Sequence, residues 1–445
     1  MNLPTDENSM MPMEPSPPKR RWRIGRWEVS PRMAAVTAGL LVLVGVPLLM
    51  LSCAGGGGTV NFDKVITFAG PPTVRVALAV RTRNIVVDEI RVNGFYSIID
   101  PETGRRIARG SNLTRSPVAA LNGGIVLTVG SRQLRFPRIR IVPDDDGKLY
   151  VHNCNYRGAL DVVYNSDDGT MTLINVVDLE SYLRGVLPAE MPARWPDAAL
   201  RAQAVAARTW TLANIMENDR KKPRPPYDFV SGFRSSQEYR GVAGEHPNAT
   251  EAVNATRGMV LLYKNLVFRA YYHSASGGHT EACGEVWPDY QTIPPLAGVE
   301  DDYSRRSPHQ DWTFKATRGQ IENALRARGC DVGTLTGLRF TDVNNDGHND
   351  RVLITGSRGS RRMIAGDFRL ALIDAKLPIK STNFTVTRSG DTFEFTGHGF
   401  GHGVGMSQYG AMNMAVGLRS YDEILKFYYP GAKLAMVYEL SLIHI

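Results

Sequence analysis

The chain has 445 residues, 43% hydrophobic and 22% charged, with a formal net charge of +8. That length holds two or three ordinary domains, and the apolar fraction is that of a globular protein rather than a disordered one. Residues 1–32 contain six basic and four acidic residues, so +2 lies in this tail and +6 in the remainder. A modest surplus suits an anionic wall polymer, a lipid surface or nucleic acid. The absence of a zinc finger, a basic helix or aromatic–basic alternation argues against nucleic acid.

From the N-terminus, residues 1–32 read as a basic tail and residues 33–52 as a transmembrane anchor or signal segment. The run "MAAVTAGLLVLVGVPLLMLSC" carries no charge and is long enough to cross a bilayer as a helix. The basic flank, from Lys19 to Arg32, predicts a cytoplasmic N-terminus and a body outside the membrane. "MLSC" before "AGGGG" also resembles a lipoprotein cleavage site, although Met50 is unusual there; the uncleaved anchor is favoured. Residues 53–72 form a linker with a glycine tract. Three of the four cysteines, Cys154, Cys283 and Cys330, lie beyond Cys53. One disulfide with one free thiol, or a metal ligand, are both open.

Residues 73–170 predict a β-rich subdomain, because β-branched runs such as "TVRVALAV", "RIRIV" and "LDVVY" alternate with "PETG", "DDDG" and "SDDG" turns. Residues 171–300 switch to a helix-rich core. "DLESYLRGVL" (178–187) is a helix capped by Asp178, and "PDAALRAQAVAARTWTLANIMEN" (196–218) is a second, longer one. "PNATEAVNATRGMVLLY" reads as a helix stopped at Gly258 and followed by a strand. In residues 301–438, helices are expected over 313–329 and 364–374, and a hairpin over "STNFTVTRSGDTFEFTG". The fold class is α+β: a β-rich N-terminal part packed on a mixed helix/strand domain, after one transmembrane helix.

Four segments carry candidate chemistry. In "VLPAEMPARWP", Glu190 stands between Pro188 and Pro192, which predicts a stiff non-helical turn with Met191 and Trp195 as apolar neighbours. Such surroundings raise a carboxyl pKa, as a general acid requires. On the following helix, Arg208 and Arg201 fall on the same stripe as Val205, Leu212 and Met216, where an arginine is buried only when paired. Glu190 is one candidate partner for Arg208. "YYHSASGGHTEACGEVW" groups His273, His279, Glu281, Cys283 and Glu285, which are zinc-type donors at no standard spacing. "DVNNDGHNDR" places Asp342, Asn344, Asp346 and Asp350 as in a calcium loop, but Leu353 stands where the bidentate glutamate belongs. An Asx-rich hairpin turn is the competing reading.

The fourth segment, "GHGFGHGVGMSQYGA" (397–411), alternates bare backbone with His398, Phe400, His402, Val404 and Met406. Period-two alternation predicts a strand, and its glycine face admits a close backbone or an extended ligand. Ser407 predicts a helix cap for "QYGAMNMAV".

The first, second and fourth of these segments, with the α-helical run to Asn214 and "YRGALDVVY", resemble the stage II sporulation protein D family, which includes the amidase enhancer of cell-wall autolysis; "DVNNDGHNDRV" departs from it, standing where relatives usually have a shorter serine/glycine turn. The likeness runs from about residue 73 to residue 438. It implies a lytic transglycosylase acting on peptidoglycan strands, preferably stripped of stem peptides, with the catalytic glutamate at Glu190. Plausible substrate-orienting groups are Arg208, Gln203, His273, Ser274, His398, His402, Ser407, Gln408 and Tyr409. No cofactor is required by this chemistry. Some relatives hold zinc through a His/Cys cluster; here His273 matches, His279 and Glu285 stand where cysteines are expected, and Cys283 is out of register. The metal candidates are therefore His273, His279 and Cys283, with calcium at Asp342, Asn344, Asp346 and Asp350. The expected partners are glycan strands, a cell-wall amidase and the membrane, with no nucleic acid. The alternative function is a non-catalytic wall-binding enhancer of an N-acetylmuramoyl-L-alanine amidase, and a third is a metal-dependent wall hydrolase using residues 273–285.

Overall fold

A computed structural model describes residues 67–82, 90–114, 118–121, 123–144, 147–151, 154–232, 237–343 and 347–438. The proposed membrane segment and the Cys53 site lie outside these residues. Among the described residues no helix is long and apolar enough to cross a membrane. The fold is mixed α+β and rich in strands, with eight helices among the described residues: α1 (Leu179–Glu190), α2 (Asp197–Arg220), α3 (Pro247–Ala255), α4 (Cys283–Val286), α5 (Arg318–Ala327), α6 (Ala365–Asp374), α7 (Gln408–Val416) and α8 (Tyr421–Tyr428).

The N-terminal part is built around a nine-stranded sheet. Strand Thr73–Thr82 pairs antiparallel with Thr170–Asp178, with Val74 opposite Val177, and Thr170–Asp178 continues antiparallel onto Ala159–Asn165. Alternate residues Val74, Val76, Leu160 and Val162 are fully buried, which sets the register by hiding one face. The strand Thr170–Asp178 runs directly into α1. Asp178 accepts the backbone N–H groups of Glu180 and Ser181, each at 3.0 Å, and so starts the helix at the residue expected.

Helix α1 continues through Pro188 to Glu190 rather than ending at Leu187. The stiff turn expected at Glu190 is thus a helix C-terminus, and extended backbone begins only at Met191 (φ −138°, ψ 131°), the residue before Pro192. Pro188 removes one ladder hydrogen bond in the last turns, and tertiary packing of the buried Leu183, Val186 and Leu187 outweighs that loss. Helix α2 is buried along most of its length, and its run of alanines lets α1, α3 and α7 come close.

A second core lies around Trp312, Phe314, Phe368, Phe384 and Phe395. Here Asp311–Thr317 is a strand paired with Thr392–His398, not the start of the helix expected over 313–329. Trp312, Phe314 and Ala316 are buried and their neighbours exposed, a period of two that decides for strand. Thr317 and Gln320 then form a capping box that opens α5. The hairpin expected over residues 381–397 is present as Phe384–Ser389 paired with Thr392–His398. Leu335–Val343 and Asn349–Gly356 pair antiparallel, so the calcium-loop segment connects two strands. The Asp342, Asn344 and Asp346 side chains lie outside the described residues. Cys154, Cys283 and Cys330 are free thiols.

The glycine run joins the two cores. Its regular strand ends at His398. Beyond that point Phe400 exchanges backbone hydrogen bonds with Ala275, at 2.7 and 2.9 Å, and Met406–Ser407 pairs in parallel with Tyr272–His273. Residues 399–405 are therefore not an ordinary strand, because the alternate glycines take left-handed dihedrals. Gly405 has φ +73°, and a Cβ there would stand 2.0 Å from the Tyr271 carbonyl oxygen. The expectation that another backbone lies close against the glycine face holds; that backbone is residues 271–281.

Candidate active site

Glu190 stands at the C-terminal end of α1, partly buried between α2, α7 and the segment after residue 236. Its Oε1 accepts the backbone N–H of Glu238 at 2.7 Å. Its own carbonyl accepts the side-chain amide of Gln408 at 2.8 Å, and that amide also lies 3.5 Å from Gln203 Oε1. Gln408 is the first residue of α7, whose start is set by Ser407 accepting the Gly410 N–H at 3.1 Å. Side chains of α2 and α7 therefore meet at the backbone carbonyl that ends α1.

A second layer lies behind it. Gln237 donates to the Tyr272 hydroxyl at 3.1 Å and accepts from Tyr182 and Thr211 at 3.1 and 2.8 Å. These polar groups fix Gln237, the residue before the Glu238 amide. Among the described residues Glu190 makes no ion pair. Burial pushes its carboxyl up to about 7; the Glu238 N–H opposes this and the nearby Glu238 carboxylate adds to it. At neutral pH the group is thus shared between its acid and base forms, and it can both give and take a proton.

The other predicted residues divide into two sets. Gln408 reaches the Glu190 carbonyl with Gln203 beside it, and the Tyr409 ring lies 4.9 Å from that of Trp195 in the turn that follows Glu190. The Tyr409 N–H donates to the Ser274 carbonyl at 3.0 Å, so Ser274 enters through its backbone. Arg208 is elsewhere. It is fully buried and pairs with Glu180, not Glu190, through two hydrogen bonds of 2.8 Å, and it also donates to the Val253 and Met259 carbonyls. Burial raises the Glu180 carboxyl, but Arg208 more than offsets this and holds it below its ordinary range. Ser407 is buried and structural. His398 is partly exposed and lies 2.7 Å from Asp311.

His273 and His402 face each other with ring centroids 5.6 Å apart. Burial pushes His273 well below its ordinary range and His402 down to about 4, so both rings are neutral. The Val404 N–H donates to His402 Nδ1 at 3.1 Å, and the Val404 carbonyl lies 3.1 Å from His273 Nδ1. The proposed zinc donors do not converge. His279 Nδ1 lies 2.7 Å from the Thr280 carbonyl, and the Cys283 thiol points to Gln291 and Thr292. Among the described residues no group of three His, Cys, Asp or Glu side chains is arranged to hold a metal ion. His348 instead reaches Glu281, 2.6 Å away, from the connection that carries the calcium-like motif.

Sequence reasoning missed the Glu238 amide, Gln237 and Tyr272. Only the polar cluster "SSQEY" before a strandless stretch hinted at the first two.

Residues 167–263, which contain α1, α2 and Glu190, match the family model of the stage II sporulation protein, SpoIID. The chain is 32% identical over 273 residues to stage II sporulation protein D of Bacillus subtilis, covering 58% of this chain and 75% of that one. The chain belongs to the stage II sporulation protein D family. A further relative is an uncharacterized protein of Brachyspira hyodysenteriae, 33% identical over 369 residues, covering 83% of this chain and 94% of the relative. The amidase enhancer of Bacillus subtilis is 31% identical over 57% of this chain, which spans 40% of that longer protein. The family assignment covers the Glu190 helix itself.

Proposed function

We propose that the chain cleaves peptidoglycan glycan strands as a lytic transglycosylase, with Glu190 as acid and then base. Sporulation and amidase enhancement, the roles named for its relatives, fit a cell-wall-related task. The observation that carries the reading is Glu190 itself: a carboxyl with one backbone donor on Oε1 and no ion pair among the described residues, raised by burial to about 7 although Arg240 pulls the other way.

The chemistry balances with one carboxyl. The neutral acid protonates the glycosidic oxygen as the C1–oxygen bond breaks. The carboxylate left behind takes the proton of the C6 hydroxyl, whose oxygen bonds to C1 and closes a 1,6-anhydro ring. No water is consumed, so the second carboxylate of a hydrolase is not required. Gln408 holds the Glu190 carbonyl and is itself positioned by Gln203, while the Glu238 N–H steadies the carboxylate form. Anchoring outside the membrane through residues 33–52 belongs to the same reading. So does a preference for peptide-stripped strands.

The test is incubation of the purified chain with peptide-stripped glycan strands, followed by mass spectrometry for anhydro-muramic ends. Product release that disappears in Glu190→Gln supports the reading; equal release from that variant removes it. The likeness to the amidase enhancer favours one alternative, a wall-binding protein that stimulates an amidase without cutting. In that case neither protein yields anhydro ends, and both raise amidase turnover.

A further inference from the structure

Four partly exposed rings form a continuous row that begins beside Glu190. Trp195 lies in the turn between α1 and α2, five residues past Glu190. Its ring meets Tyr409 at 4.9 Å, Tyr409 meets His309 at 5.4 Å, and His309 meets Phe400 at 5.1 Å. All three contacts are edge-to-face, with interplanar angles of 63°, 88° and 84°. The rings come from three separate stretches of chain, with Phe400 and Tyr409 both on the segment 397–411. Tyr409 and Phe400 belong to neither hydrophobic core.

The row is built before any ligand arrives. The Gly399 N–H donates to the His309 carbonyl at 3.0 Å, which ties the histidine to the glycine run. The Lys380 ammonium stands 3.4 Å from His309 Nδ1. That nitrogen therefore accepts, and the ring hydrogen sits on Nε2 as a donor. Burial and Lys380 both lower the His309 pKa, so the ring stays neutral. Partly exposed rings that serve no core are unusual unless they contact something else.

We propose that Trp195, Tyr409, His309 and Phe400 form a platform for successive sugar rings of a glycan strand leading away from Glu190, neighbouring rings offering it face and edge in turn because their planes are crossed. This rests on the glycan-cleaving reading above. A pyranose ring offers a face of C–H bonds and a rim of hydroxyls. The C–H face suits the electron-rich face of an aromatic ring, and the hydroxyl rim suits the polar tips of tyrosine and histidine. Rigid aromatic side chains supply that contact at small entropic cost. The platform starts in the turn that follows Glu190 and ends on the glycine run, so it gives that run a binding role at Phe400.

The experiment measures binding of the full chain to peptide-stripped glycan strands by co-sedimentation, in the Glu190→Gln background so that no strand is cut. Adding His309→Ala and Phe400→Ser is expected to raise the dissociation constant about tenfold. In the cleaving protein the same pair raises KM by a similar factor with kcat within about twofold, the pattern of lost uniform binding. Phe400→Leu keeps the volume and removes the π-face; it is expected to weaken binding about threefold, and it serves if the double variant does not fold. Binding within about twofold of the parent in a folded variant overturns the platform. Anhydro products with unchanged binding sink the platform alone, whereas row-dependent binding with no product sinks the cleavage reading alone.

Discussion

Helix α1 carries a glutamate near each end, and the two are treated in opposite ways. Glu180, in the first turn, is fully buried against Arg208, with Tyr438 and the Gly258 amide also directed at it. Glu190, in the last turn, is less deeply buried and makes no ion pair among the described residues; it accepts one backbone N–H, and the field of Arg240 offsets its burial only in part. The first carboxyl is held below its ordinary range and the second is raised to about 7. Burial pushes both upward, so the difference lies in the partner. A paired buried charge anchors the α1–α2–α3 junction; an unpaired one is held ready for proton transfer.

The largest test of that contrast is chemical. Glu190→Gln is expected to lower anhydro-product release by about 10²–10⁴-fold, the range for loss of a positioned acid–base group, with unchanged circular dichroism. A matching Glu180→Gln change should act on folding rather than on turnover of the protein that remains folded. Next in size is the ion pair. Arg208→Met leaves a buried unpaired carboxylate and is expected to cost about 3–5 kcal/mol in denaturant unfolding, whereas Glu180→Leu with Arg208→Met together should recover most of it. Recovery that fails to appear would mean Arg208 acts mainly through the Val253 and Met259 carbonyls.

The raised carboxyl has a stability signature of its own. The folded state binds the Glu190 proton up to about pH 7, and the unfolded chain releases it near 4.5. Stability therefore falls as pH rises between those values, and above pH 7 the cost is fully present, about 3 kcal/mol. Glu190→Gln should unfold at a higher temperature than the parent at pH 8, and the two should converge at pH 4. Activity in the parent should fall as pH rises past about 7, since the first step needs the acid form. A smaller effect is expected at the junction between the cores. Gly405→Ala puts a methyl group against the Tyr271 carbonyl at a left-handed φ and should cost about 2 kcal/mol, measured by thermal unfolding.

Much of the site was legible in the residues. The Asp178 and Ser407 caps, the helix over 196–218 and the close approach implied by the glycine run were all read locally, because caps and bare backbone act within a few residues. The strand at Asp311–Thr317 was misread because a short segment with three buried residues fits a helical stripe as easily as a period of two.

What the sequence by itself determined is the family, the helix starts capped by Asp178 and Ser407, and the single acidic residue in a proline-flanked apolar setting. What only the tertiary structure decided is which glutamate Arg208 takes, which amide steadies Glu190, and which histidines stand near one another. The first two choices depend on groups 28 and 48 residues apart in the chain and the third on His273 and His402, farther apart still, all brought together by packing of the cores rather than by any local rule.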